Sequence, residues 1–187
     1  MRLLALAACV LACGAAAAAD FNAAQLFAML AKERPGRATF HEKKHLALLD
    51  RPVESTGELT FTPPDRMEKR TLTPRPERVT IDRERLTLER GGKRHSLGLR
   101  ENPSIAVLVE SIRATLAGDL ESVTRAYSIA LDGSAARWRL TLRPLDPSLS
   151  NIVEHVEITG SQGVVRTVEI FQADGDRSLI TLTPLEP

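Results

Sequence analysis

The chain has 187 residues, 25 lysines and arginines against 24 aspartates and glutamates, 43% hydrophobic residues and only 4% aromatics. That hydrophobic share with balanced charge excludes a disordered chain, which combines low hydrophobicity with high net charge. The lack of a basic surplus excludes a dedicated nucleic-acid binder, whose phosphate contacts need one.

Met1-Arg2, the apolar run Leu3 to Leu11 and the small residues Ala15 to Ala19 follow the order of a secretory signal peptide. Residues 1–19 therefore read as a leader cut after Ala19, and 20–187 as a single exported domain. Both cysteines, Cys9 and Cys13, fall in that leader, so packing rather than disulfides must hold the exported chain. A rival reading takes Val10-Leu11-Ala12-Cys13 as a loose lipobox and anchors the protein to a membrane through a lipid on Cys13.

Asp20 can cap a helix whose apolar residues Ala23, Leu26, Phe27 and Leu30 share a face, with Pro35-Gly36 as the stop. His41-Glu42-Lys43-Lys44-His45 then matches the zincin pattern H-E-x-x-H, which needs a helix so that both imidazoles reach one zinc. The flanks predict a strand instead. Phe40, Glu42 and Lys44 alternate with His41, Lys43 and His45, and no apolar helical face precedes them. On a strand the two histidines stand about 13 Å apart, too far for one metal. Two exposed histidines and no metal site are the expectation.

Same-face apolar pairs with period two follow along the chain: Leu59 and Phe61, Val79 and Ile81, Leu86 and Leu88, Leu97 and Leu99. A second helix interrupts them. Asn102 suits its N-cap, Pro103 its first position and Gly118 its C-terminal stop, and Ile105, Leu108, Val109, Ile112 and Leu116 form one stripe. A short helical turn is expected near Asp119 to Thr124. The alternation resumes at Ile129 and Leu131, Leu140 and Leu142, Val156 and Ile158, Val168 and Ile170, Ile180 and Leu182. Gly91-Gly92, Asp132-Gly133, Gly160 to Gly163 and Asp174-Gly175 supply turn chemistry between them.

About ten short strands, each apolar on one side, predict an α+β fold: an unclosed, highly curved antiparallel β-barrel with two or three helices lidding its concave face. The candidate lining is Leu59, Phe61, Met67, Leu72, Ile81, Leu86, Leu88, Leu140 and Leu142. Leucine, isoleucine and valine suit acyl chains better than sugars or nucleotides, which want hydrogen-bonding groups. Lysine and arginine outnumber acids between Asp65 and Arg100, a surplus that reads as a solvated outer strand face or a surface for an anionic partner.

The order of short motifs resembles the LolA-type periplasmic lipoprotein carriers, most closely a divergent branch. These motifs are Ala38-Thr39-Phe40 opening a strand, Ser55-Thr56-Gly57-Glu58-Leu59-Thr60-Phe61 running into Thr62-Pro63-Pro64, Val79-Thr80-Ile81-Asp82, and Gln172-Ala173-Asp174-Gly175-Asp176-Arg177-Ser178. The resemblance implies a non-enzymatic monomer without cofactor that shields lipoprotein acyl chains, or another lipid, on the way to the outer membrane. It also implies an inner-membrane donor and an outer-membrane acceptor complex. Three positions depart from the family pattern. Pro63 stands where a functional arginine is usual, Arg66-Met67-Glu68-Lys69-Arg70 replaces a strand with aromatic cavity residues, and Glu42 replaces a glutamine. The alternatives are a zinc metalloprotease using His41, Glu42 and His45, and an envelope scaffold with a filled interior.

Overall fold

The computed structural model describes residues 21–32 and 36–185, with the side chains of residues 103, 104 and 108 left out of the description. The expected leader, Cys9, Cys13, Asp20 and Pro35 lie outside the described residues. The elements in chain order are α1 (Ala23–Leu30), β1 (Arg37–His45), β2 (Val53–Thr62), β3 (Arg66–Thr73), β4 (Glu77–Asp82), β5 (Arg85–Arg90) and β6 (Lys93–Gly98). A 3-10 turn (Leu99–Glu101), α2 (Pro103–Ala117) and α3 (Leu120–Ala126) follow. Then come β7 (Tyr127–Ser134), β8 (Arg137–Pro144), α4 (Pro147–Ser150), β9 (Val153–Ser161), β10 (Val164–Gln172) and β11 (Arg177–Pro184).

Among the described residues all eleven strands join one antiparallel sheet in the order β6-β5-β4-β3-β2-β1-β11-β10-β9-β8-β7. Its two ends do not pair with each other, so the sheet is an unclosed barrel, as the alternation predicts. The strand count is one higher than expected, because β3 carries no period-two apolar pair. Leu99 is not a strand residue; it opens the 3-10 turn and is 5% exposed.

Side-chain parity carries one face through the whole sheet. Phe40 stands opposite Gly57 and Leu182, Val168 opposite Ile180 and Ile158, and Leu140 opposite Ile158 and Leu131. The fully buried, helix-packed core lies against one end of this inner face. The buried core joins Leu26, Phe27 and Leu30 of α1, Ala114 of α2 and Val123 of α3 to Tyr127, Trp138, Leu140, Leu142, Val156 and Ile158 of β7–β9. Leu149 of α4 and Val153 complete it.

Local chemistry sets the helix ends. The N-cap of α1 is Asn22, not Asp20: its carboxamide accepts from Gln25 N at 3.0 Å and the Gln25 side chain accepts from Asn22 N at 3.0 Å, a reciprocal capping box. Pro103 begins α2 and Gly118 ends it in the left-handed conformation (φ 73°), both as predicted. Asn102 precedes α2 but does not cap with its side chain, which donates instead to the Gly98 carbonyl at 2.9 Å. Asp132-Gly133 is not a turn. β7 runs on to Ser134, and Gly133 (φ 97°) is needed where a Cβ would lie 2.2 Å from the Arg137 carbonyl oxygen.

Candidate functional site

The inner face divides into a fully buried half and a half-buried one. On β8 the predicted lining residues Leu140 and Leu142 are 0% and 2% exposed and belong to the helix-packed core. On β2–β5 the predicted residues Leu59, Phe61, Met67, Ile81, Leu86 and Leu88 share the same face but are only half-buried, and none joins that core. Pairing aligns them in rows. Phe61 faces Met67, Met67 faces Ile81, Ile81 faces Leu86 and Leu86 faces Leu97. In the next row Leu59 faces Lys69, Lys69 faces Val79, and Val79 faces Leu88. Leu72 does not belong with them. It sits at the register shift between β2 and β3, in the opposite parity to Met67, Lys69 and Thr71, and is 45% exposed.

The stripe predicted on α2 turns out not to be its deepest face. Ser111, Ala114 and Thr115 are the buried residues there, with Val109, while Ile112 and Leu116 are half-buried and Ile105 is 36% exposed. The buried hydroxyls are satisfied within the helix: Ser111 donates to the Val107 carbonyl at 2.8 Å and Thr115 to the Ser111 carbonyl at 2.7 Å. Ser111 also shares a 3.0 Å hydrogen bond with the hydroxyl of Tyr127. Burial raises the Tyr127 phenol above its ordinary range, against the opposing effect of that bond. The side chain of Leu108 is outside the description. Arg113 ties α2 to the half-buried side. Its guanidinium donates to the carbonyls of Asp65 (3.3 Å) in the β2–β3 turn and Arg83 (3.1 Å) in the β4–β5 turn, and pairs with Glu110.

Beside the apolar rows sits a polar cluster that alternation alone did not reveal. Glu42 accepts from Ser178 at 2.6 Å and Ser55 at 3.2 Å and pairs with Lys69. The Lys69 ammonium also lies 4.9 Å from the centre of the Phe40 ring, within cation–π range. Phe40 can lie flat there because position 57 is glycine; a Cβ at Gly57 would stand 1.9 Å from the Arg70 carbonyl oxygen and 2.9 Å from Phe40 Cε1. Burial pushes the Glu42 carboxyl up, but hydrogen bonds from Lys69 and Ser178 outweigh it, and the net shift is downward.

The HEKKH segment lies within β1, as its flanks predict. His41 and His45 share the outer face, His41 Nε2 bonds Glu54 at 2.9 Å, and Glu42 points to the inner face. The helical geometry that a zincin needs is therefore not formed by these residues. Among the described residues no cluster of histidine, cysteine, aspartate and glutamate could hold a metal ion, and no helix is long and apolar enough to cross a membrane.

Much of the basic stretch is an outer-face lattice of ion pairs, the solvated face that its alternation predicts. Arg66 meets Asp82 at 3.0 Å, Arg78 meets Glu68 at 3.3 Å and Glu89 at 3.9 Å, and Arg94 Nε donates to Glu89 at 2.7 Å. One open recess of about 660 Å³ lies by β7–β10, lined by Arg137, Arg139 and Arg166 among others. Another, of about 580 Å³, lies between the β3–β4 and β5–β6 turns.

No curated protein matches this chain. The LolA superfamily protein NE2245 from Nitrosomonas europaea is similar over 85% of this chain and 88% of that one, at 8% identity and a TM-score of 0.47. The MucA/MucB complex of Pseudomonas aeruginosa is similar over 88% of this chain and 58% of that one, at 15% identity and 0.47. LprF from Mycobacterium bovis is similar over 86% and 91%, at 15% identity and 0.37. The family described as outer membrane lipoprotein carrier protein LolA-like matches residues 15–184, from ahead of α1 to the last residue of β11, and this chain belongs to that family.

Proposed function

We propose that the protein is a periplasmic carrier that shelters acyl chains, of lipoproteins or of a related lipid, on the inner face of β2–β6 beneath α2. One observation carries this reading. A folded sheet normally buries its apolar face, and β7–β9 do so under the helices. The matching face of β2–β6 keeps Phe61, Met67, Ile81, Leu86, Leu88 and Leu97 half-exposed on the same side. Contiguous apolar surface of that kind marks a binding site. An acyl chain laid on it gains about 0.8 kcal/mol for each CH₂ removed from water, enough to hold a long chain during an aqueous transit.

In this reading α2 is the lid. Its half-buried Ile112 and Leu116 supply apolar area, and Arg113 is the tether that the ligand must outcompete or leave in place. Delivery to the outer membrane, with an inner-membrane donor and an outer-membrane acceptor, is the finer part of the proposal and rests on family membership. The test is lipid extraction and mass spectrometry of protein purified from the periplasm, together with uptake of a fluorescent fatty acid. Co-purified lipid or saturable uptake is expected. A ligand-free protein that also takes up no fatty acid overturns the proposal.

A further inference from the structure

Lys69 is the anomaly of the inner face. It occupies the row between Leu59 and Val79, where every other strand of β2–β5 places an aliphatic residue, and its side chain is 29% exposed. Its partner Glu42 is 14% exposed. Sheltered ion pairs seldom improve stability over aliphatic side chains of the same volume, so stability does not account for this one. The hydrogen-bond inventory is uneven. Glu42 is engaged by three donors, Lys69, Ser55 and Ser178. Lys69 has three N–H donors and, among the described residues, hydrogen-bonds one acceptor, the Glu42 carboxylate. The cluster thus offers a ligand further N–H donors on an ammonium whose charge Glu42 balances.

The same polarity continues along the strands. The inner-face pair after Lys69–Val79 is Thr71–Glu77, about 7 Å further on. Beyond it Glu77 faces Arg90 and Arg90 faces Lys93. The recess of about 580 Å³ at this end is lined by inner-face Thr71, Glu77, Arg90 and Lys93 and, around the sheet edge, by outer-face Arg70, Arg78, Arg94 and Glu89. Toward the other end the row is Phe61, Met67, Ile81, Leu86 and Leu97. This half of the inner face is amphipathic along its strands: hydrocarbon at the end tethered by Arg113, and polar at the end of the β3–β4 and β5–β6 turns, where Arg90 and Lys93 outnumber Glu77.

Building on the carrier reading, we propose that the ligand is an acyl lipid with an oxyanion head, carboxylate or phosphate. Its tail lies along the apolar rows and its head accepts from Lys69 at the border of the cationic recess. A charge-assisted hydrogen bond of this kind is expected to favour an anionic head over a neutral one by about tenfold or more.

The experiment is displacement of the apolar fluorophore N-phenyl-1-naphthylamine by palmitate, hexadecanol and palmitoyl lysophosphatidic acid. The wild-type protein should prefer one or both anionic lipids to hexadecanol by about tenfold. Preference for palmitate alone assigns a carboxylate head, and for the lysophosphatidate alone a phosphate head. Lys69→Met, which keeps the aliphatic stem, should bring the three within about twofold while hexadecanol binds as before. Glu42→Gln removes the competing carboxylate and should widen the anionic preference; it decides the question alone if Lys69→Met does not fold. Equal binding of all three lipids to the wild type overturns the proposal and leaves the carrier reading standing. So does an anionic preference that neither variant alters. Failure of the fluorophore and every lipid to bind overturns both.

Discussion

Glycines and carboxylates decide the most here at the scale of single residues. At Gly160 a Cβ would stand 2.2 Å from Trp138 Cζ2 and 2.4 Å from the Val164 carbonyl oxygen. Gly160→Ala should therefore displace the indole and break its 2.7 Å hydrogen bond to the Gln162 carbonyl. Overpacking of this kind costs about 1–3 kcal/mol. Trp138 is the chain's single tryptophan, so a red-shifted emission with a lowered denaturation midpoint is the expected readout. Glu42 makes a pH prediction. Its folded pKa lies below the unfolded value despite burial, because Lys69, Ser178 and Ser55 favour the carboxylate. The stability it contributes is present above the unfolded pKa and is lost as the pH falls through the folded one. Acid titrations of the wild type should lose stability below the ordinary glutamate range, and Glu42→Gln should flatten that loss. An unchanged profile in the variant would remove Glu42 from the account. The sequence placed Phe40 and Glu42 on one face of a strand, correctly. It did not show Lys69 as the partner, because strand register across β1, β2 and β3 is set by pairing and turns rather than written in any one segment.

Among the elements, α2 and β3 show where periodicity succeeds and fails. The ends of α2 were legible because Pro103 and Gly118 act locally, through fixed φ and through left-handed backbone. Its buried face was not, because Ser111 and Thr115 look polar in sequence and become buriable only by bonding carbonyls one turn back. β3 was hidden for a related reason. Its two aliphatic residues, Met67 and Leu72, fall out of phase across a register shift, so no alternation survives to be read. α4 is a single turn whose signal lay in the pair Asp146-Pro147; the Asp146 carboxylate accepts from Ser148 N at 2.7 Å and Leu149 N at 3.3 Å, seating Leu149 in the core. Arg113→Ala removes the bonds to the Asp65 and Arg83 carbonyls while Ala114 and Thr115 stay packed. Hydrogen exchange in α2 should quicken by about tenfold or less, and fluorescent fatty acid should enter faster, with β7–β9 unaffected. Slower entry would show that Arg113 holds the lid open rather than closed.

The asymmetry of the whole molecule was the least legible feature. Period-two pairs are equally strong in both halves of the sequence, and nothing in them says that the helices pack a fully buried core against β7–β9 and leave the inner face of β2–β6 half-buried. That outcome depends on which faces of α1, α2 and α3 pack together. It has a measurable consequence: backbone amides of β7–β9 should exchange more slowly than those of β3–β6 in the ligand-free protein, and bound lipid should narrow the difference by protecting β3–β6 selectively. Uniform protection of both halves without ligand would contradict the exposure described here.

The sheet also stops at two rims, β6 and β7, that never meet. In a sealed cylinder, a change of girth has to break ladder bonds or alter the stagger of its staves. Here the gap between the rims can widen or narrow with every ladder bond intact, since among the described residues no ladder bond joins β6 to β7. The scaffold is compliant across its width and stiff along its strands, so cargoes of unequal thickness can be accepted by the same eleven staves without unzipping any of them.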